Sequence, residues 1–102
     1  MLEIKKQVEG QQVQIDLIGN LDTNTAPDLD ALMKTVFEEG ASDIVLELGQ
    51  LKYVSSAGLR VILRVQKKIN AIKGRFVVRH PNAIVSEVFA STGFDEILTI
   101  EK

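Results

Sequence analysis

The first part of the chain alternates apolar and polar residues, which predicts a hairpin of two half-buried strands. The alternation runs through residues 2–7, LEIKKQ, and again from Val13 to Leu17. This period of two is typical of a strand with one buried face. Glu9-Gly10 falls between the two runs, where a hairpin needs its turn. One face of this hairpin should therefore pack on the core.

Three later segments have apolar residues at the spacing of amphipathic helices. The first begins near the capping residue Thr25, with a proline in its first turn, and ends at Gly40. The second runs from Ser56 to Gly74, and the third begins at Asn82 and ends at Gly93. The predicted core positions of these helices are Leu29, Leu32, Met33, Val36 and Phe37; Leu59, Ile62, Leu63, Gln66, Ile69 and Ile72; and Ile84, Val85, Val88 and Phe89.

Short apolar runs between the helices predict further strands at residues 43–48, 75–79 and 97–100. Strand, helix and strand over 43–79 form a βαβ unit, whose two strands are parallel and whose crossover is right-handed. We therefore expect an α/β domain over residues 1–102, with a mixed sheet of four or five strands and three to four helices covering mainly one face. The run Ser55–Gly58 would lie at the carboxyl edge of the sheet, where open α/β sheets usually place their sites.

Composition limits the classes of function that remain. The chain has 102 residues, 45% of them hydrophobic, which suits one compact domain. Its 12 basic and 14 acidic side chains give a net charge of -2 without blocks of one sign, which argues against nucleic acid as a partner. It has no cysteine, and no apolar run reaches the roughly 18 residues of a membrane span. We expect a soluble cytoplasmic protein without membrane insertion.

The sequence shows no constellation of catalytic residues. His80 is the only histidine, and no acid or nucleophile can be tied to it by spacing. Ser55–Gly58 lacks the following lysine of a phosphate-binding loop. We expect no catalytic residue, no metal site and no cofactor; a small phosphate-binding hydrolase is the enzymatic alternative. Four carboxylates beside helix ends are interpreted as solvated: Glu38, Glu39, Asp95 and Glu96.

The run of small residues Ser55-Ser56-Ala57-Gly58 is the most informative stretch of the chain. Either serine would be a good N-cap for the second helix, because its hydroxyl can accept one of the unpaired N–H groups there. Capping needs only one residue, however, and a glycine in a helix costs up to about 1 kcal/mol relative to alanine. The run therefore indicates that something approaches the backbone closely, or that a hydroxyl is modified.

Two motifs together resemble the bacterial anti-sigma-factor antagonists built on the STAS domain. Gly19-Asn-Leu-Asp22, which ends the second predicted strand, is similar to the family's G-x-L-D, and Ser55-Ser-Ala-Gly-Leu59 is similar to its D-S-S/T-G-L. The spacing of the motifs and the order of elements also match, from Leu2 through Ile100. The aspartate that usually opens the second motif is Ser55 in this chain.

The resemblance implies a binding protein controlled by phosphorylation. Its phosphoacceptor would be Ser56; unmodified, the protein would bind an anti-sigma factor that is also a serine kinase, and phosphorylation would end this binding. We expect a monomer or weak dimer. The expected partner-binding residues are Asp22, Ser55, Ala57, Gly58, Leu59 and Arg60.

Three questions stay open at the level of the sequence. Asp22, in the loop after the second predicted strand, either lies near Ser56 as part of the site or is a turn or cap acid before Thr25. Ser55 in place of aspartate motivates an alternative, a STAS adaptor subunit of a lipid-transport or stress-signalling complex, in which the serine is a cap and no switch exists. Arg60 and Arg64, one turn apart on the polar side of the second helix, either contact an acidic partner or are simply solvated.

Overall fold

A five-stranded sheet in the order β1-β2-β3-β4-β5 forms the centre of the computed structural model, which describes all residues, Met1–Lys102. β1 pairs with β2 antiparallel, and each later neighbouring pair is parallel. The predicted mixed sheet is thus confirmed, and the loops after β2, β3 and β4 meet at one edge. The strands are β1 (Leu2–Glu9), β2 (Gln12–Leu21), β3 (Asp43–Val54), β4 (Arg75–Arg79) and β5 (Ile100–Glu101).

Four helices connect the parallel strands, and none of them is long and apolar enough to span a bilayer. They are α1 (Ala26–Glu38), α2 (Ser56–Ile72), α3 (Ala83–Thr92) and the single turn α4 (Phe94–Ile97). The predicted last strand at 97–100 is wrong in its first part, because Ile97 belongs to α4 and pairing with β4 begins only near Ile100. β3 runs six residues beyond its predicted end at Leu48, since β2 continues to pair with it past a register shift.

The helices pack on one face of the sheet. A single cluster of 23 buried residues joins α1, α2 and α3 to alternate positions of the strands, such as Ile44 and Leu46 of β3. Val45 and Val77 are also buried but stand outside this cluster, because neighbouring strand residues point to opposite faces. The opposite face carries mainly polar residues, so the predicted one-sided covering by helices is confirmed.

The buried face of α2 is rotated toward α1 relative to the sequence-based expectation. Val61 and Val65, which the predicted apolar face omits, are buried, whereas Leu63 is half-buried and Ile72 is exposed. The reason is that α1 packs beside α2 and covers an extra row of positions. Ile84, another predicted core position, is 59% exposed in the first turn of α3.

The ends of α2 and α3 follow from local hydrogen bonding. Asn82 caps α3 as predicted, with its side-chain oxygen accepting from the N–H of Val85 at 2.8 Å. α2 ends one residue earlier than expected, because Lys73 takes the left-handed conformation at φ 57°. Gly74 is required for a different reason: a Cβ there would stand 2.3 Å from the carbonyl oxygen of Ser42.

Candidate functional site

The two sequence motifs meet at the carboxyl edge of the sheet. The backbone N–H of Ser55, at the end of β3, donates a hydrogen bond of 2.8 Å to the carbonyl of Leu21, the last residue of β2. Asp22 follows Leu21 directly, and Ser56 follows Ser55. The structure therefore brings the Asp22 loop beside the start of α2, as the topology of the sequence predicts.

The two serines have different structural roles. Ser55 is the N-cap of α2, with extended backbone angles, and its hydroxyl accepts a hydrogen bond of 3.3 Å from the N–H of Gly58. Ser56 is the first helical residue; its side chain is exposed and its hydroxyl forms no hydrogen bond within the chain. The choice of cap that the sequence leaves open is thus settled in favour of Ser55, and the Ser56 hydroxyl is accessible from solvent.

Gly58 is small because α2 packs closely on the ends of two strands. A Cβ at this position would stand 2.7 and 2.9 Å from Cγ and Cδ2 of Leu21 and 3.0 Å from Cγ2 of Val54. Gly58 and Leu59 are both buried. The expectation that they offer a surface to a partner is therefore corrected: they support α2 from beneath. The other expected partner-binding residues, Asp22, Ser55, Ala57 and Arg60, are half-buried or exposed.

Asp22 organises the loop between β2 and α1. Its carboxylate accepts hydrogen bonds from the N–H groups of Asn24 and Thr25 at 3.0 and 3.1 Å. The Thr25 hydroxyl lies 2.8 Å from the N–H of Asp22 and 2.9 Å from the carbonyl of Asn20. Thr25 stands at the N-cap position of α1 but forms no side-chain cap, because its hydroxyl is used within this loop. The predicted threonine cap is wrong in this respect.

Two opposing effects act on the pKa of Asp22. Desolvation raises it, whereas the hydrogen bonds from the Thr25 hydroxyl, the Thr25 N–H and the Asn24 N–H lower it. The lowering effects prevail, so the pKa of this carboxyl lies below its ordinary value. Asp22 therefore carries a fixed negative charge beside the start of α1.

Two exposed apolar side chains lie at the same edge and are further candidates that the sequence pattern does not reveal. Tyr53, two residues before Ser55, is 47% exposed, and Ile84 is 59% exposed. The side-chain amide of Asn82 donates to the carbonyl of Leu51 at 3.0 Å, which holds the first turn of α3 beside the end of β3. Ile84 falls at the helical spacing expected of core residues. In the structure it lies in the first turn of α3 and is exposed, whereas Val85 and Phe89 of the same helix are buried.

His80, for which the sequence offers no partner, is paired with Glu47. Its Nδ1 atom lies 2.9 Å from both carboxylate oxygens, and the same carboxylate accepts from the N–H of Gly49 at 3.0 Å. His80 has a left-handed backbone at φ 56°. The pair links the loop after β4 to the irregular part of β3. No hydroxyl group forms a hydrogen bond with this pair, so it activates no nucleophile.

Comparisons with known proteins agree with this geometry. The family model described as "Mlab, STAS domain" matches residues 4–99. A Bordetella bronchiseptica protein named "Putative anti-sigma factor antagonist BtrV" is 37% identical over 84 residues, which cover 82% of this chain and 72% of that protein.

Solved structures show the same fold. An anti-sigma factor antagonist from Mycobacterium paratuberculosis superposes with a TM-score of 0.90 at 18% identity, covering 99% of this chain and 86% of the other. The unphosphorylated form of the anti-sigma factor antagonist SpoIIAA has a TM-score of 0.78 at 22% identity, with coverage of 100% and 88%. The fold is thus that of a STAS domain. The chain belongs to the STAS domain family, and relatives that it matches are named anti-sigma factor antagonists.

Proposed function

We propose that this protein binds an anti-sigma factor with serine-kinase activity, and that phosphorylation of Ser56 releases it. The observation that carries the proposal is the exposed Ser56 side chain, whose hydroxyl forms no hydrogen bond in the fold. The adjacent Ser55 already caps α2. Modification of Ser56 therefore breaks no internal contact, and its effect falls on whatever touches the surface. The protein acts by binding and not by catalysis.

The electrostatics favour release over unfolding. A phosphate adds a charge of about -1.5 to -2 at neutral pH. At the start of α2 the helix dipole stabilises a negative charge by about 0.3–1 kcal/mol, so the modified protein keeps its fold. A phosphate buried without a partner in an interface costs several kcal/mol, and each 1.4 kcal/mol weakens binding about tenfold. The penalty in the complex exceeds the gain at the helix end.

Two further observations support this function. SpoIIAA, one of the structural neighbours, has been solved in both an unphosphorylated and a phosphorylated form. In this chain, Ser55 occupies the place of the family's aspartate and caps the helix through its hydroxyl. Serine and aspartate are comparable N-caps, so the replacement preserves the start of α2 and removes one negative charge beside Ser56.

A kinase assay tests the proposal. The anti-sigma factor that binds the wild-type protein is purified, incubated with it and ATP, and the modified residue is mapped by mass spectrometry. We expect one phosphate on Ser56, none in Ser56→Ala and normal modification in Ser55→Ala, together with loss of the complex on phosphorylation. A phosphate on Ser55, or a complex that survives phosphorylation of Ser56, would contradict the proposal.

An adaptor role without a switch is the second candidate. It is favoured by the family model that matches the chain, which is described as "Mlab, STAS domain". In that case the protein would be recovered with subunits of a larger complex, and Ser56→Asp would leave this association unchanged. Affinity purification of the wild type and of Ser56→Asp in parallel separates the two functions.

A further inference from the structure

We infer that the groove between α1 and α2 binds an acidic segment of the protein partner. The inference rests on the proposed function, because it assigns part of the same partner's contact surface. The α1/α2 groove has apolar residues between two rims of charged side chains, which are Asp30, Lys34 and Glu38 on α1 and Arg60, Arg64, Lys67 and Lys68 on α2.

The α1/α2 groove is continuous with the start of α2. Its upper part contains Ala57 and Arg60, within one turn of Ser56, and its lower part extends to Phe37 and Lys68. Asp30 and Arg64 line both parts. The ion pair of Asp30 with Arg64 joins the two helices at 3.2 Å between these parts, so a partner that contacts the surface around Ser56 reaches the lower part by passing over this pair.

The sign of charge in the groove is opposite to that of the whole chain. The chain has a formal net charge of -2, whereas the groove has five basic side chains and two acidic ones. α2 itself carries four of these basic residues and no acidic residue between Ser56 and Ile72. Complementary charge on a partner segment would be attracted here, while the rest of the acidic surface would repel it.

Most of the positive charge in the groove has no partner within the protein. Arg64 pairs with Asp30 at 3.2 Å, but Lys34, Lys67 and Lys68 are exposed and form no ion pair. The floor is apolar, with the half-buried ring of Phe37 at its lower end. An amphipathic acidic segment matches both features, because its apolar side can cover the floor while its carboxylates reach the basic rims. A phosphate on Ser56 would add negative charge at the mouth of this groove and repel such a segment.

A pair of charge reversals remote from Ser56 tests the inference. Lys67→Glu/Lys68→Glu changes residues about 17 Å along α2 from Ser56 and breaks no internal ion pair. Lys5→Glu/Lys102→Glu is the control, since it makes the same change in net charge at exposed positions outside the groove. The only ion pair that it removes is the exposed one of Lys5 with Glu3 at 3.8 Å, and surface pairs of this kind contribute little to stability. Circular dichroism and thermal melts verify that both variants remain folded.

Affinity for the purified anti-sigma factor is measured by calorimetry at low and at physiological salt. We expect the groove variant to bind at least about tenfold more weakly than the control, with a wild-type affinity that falls as salt increases. Equal affinities of the two variants, with Ser56→Asp still releasing the partner, would overturn the inference and leave the proposed function standing.

Two further probes decide the remaining outcomes. If the wild type binds no anti-sigma factor, the proposed function fails. A synthetic helical peptide with glutamates on one face and leucines on the other then tests directly whether the groove binds an acidic segment. Binding of this peptide that Lys67→Glu/Lys68→Glu removes supports the inference, and absence of such binding overturns it. Groove-dependent binding to phosphatidylglycerol vesicles, without binding to the acidic peptide, would also overturn it, because the occupant would then be a lipid surface.

Discussion

Gly58 and Leu21 lie in such close contact that a Cβ on the glycine would stand 2.7 Å from Cγ of the leucine. Leu21 belongs to the first of the two sequence motifs and Gly58 to the second, so the motifs are joined by direct packing. The N–H of Ser55 adds a hydrogen bond of 2.8 Å to the carbonyl of Leu21. The two contacts fix the start of α2 on the end of β2.

Gly58→Ala should destabilise the protein. The added methyl group overpacks the buried contact, which costs about 1–3 kcal/mol, and the higher helix propensity of alanine returns at most about 1 kcal/mol. Urea unfolding measures the net loss. In a Leu21→Ala background the same substitution should cost less, because the obstructing Cγ and Cδ2 atoms are gone. Equal costs in both backgrounds would refute the steric explanation.

Ser55→Ala and Ser56→Ala should differ in stability although they are adjacent. Loss of the Ser55 hydroxyl removes the cap on the Gly58 N–H and should lower the free energy of unfolding by about 1 kcal/mol. Loss of the unbonded Ser56 hydroxyl should change it by no more than about 0.5 kcal/mol. Chemical denaturation of the two variants and the wild type under one condition gives the comparison, and the reverse order would show that Ser56 is the cap.

Ser56→Asp should affect stability and partner affinity in opposite directions. A negative charge in the first turn of α2 stabilises the helix by about 0.3–1 kcal/mol, whereas in the interface the same charge is desolvated and weakens binding about tenfold or more. Ser56→Asn is the matched control, since it has the same size without the charge. If the two variants bind the anti-sigma factor equally well, charge does not control the interaction.

Tyr53→Ala and Ile84→Ala should each reduce affinity for the anti-sigma factor about fivefold or more, because exposed apolar side chains at the same edge of the sheet as Ser56 can be buried in the complex. Ile97→Ala is the control. Ile97 is 50% exposed but precedes β5 and so lies at the opposite edge of the sheet. Calorimetric titration of the three variants tests this, and an equal effect of Ile97→Ala would show that the loss is not specific to this edge.

Asp22→Asn should destabilise the protein at neutral pH and have a smaller effect in acid. The folded-state pKa of Asp22 lies below its unfolded value of about 3.9. The charged carboxylate therefore stabilises the fold above that value, and this stabilisation is lost as the pH falls through the folded-state pKa. Unfolding of wild type and variant from pH 7 to pH 3 measures the difference. The exposed Asp95, whose carboxylate accepts no hydrogen bond, provides the control as Asp95→Asn. A difference that grows below pH 4 would contradict the sign of the shift.

Much of the fold was predictable from local patterns. The hairpin, the three long helices and the parallel βαβ unit follow from apolar periodicity, helix caps and the handedness of crossovers, all of which act over short stretches of chain. Asn82 and Gly93 mark the ends of α3 as expected. The meeting of Asp22 with the start of α2 was also predictable, because parallel strands bring their following loops to one edge.

The tertiary structure alone decided the features that depend on contacts between distant segments. The reason that Gly58 is a glycine and the pairing of His80 with Glu47 depend on residues that only folding brings together. The cap of α2 is a local contact, but the point where β3 ends and Ser55 becomes the cap is fixed by the hydrogen bond of its N–H to the distant Leu21. The same holds for the basic α1/α2 groove, whose two sides come from separate helices. The sequence by itself determined the elements and the edge at which the motifs lie, because periodicity and capping are local; exposure, close packing and charge pairing are set by the neighbours that the fold supplies.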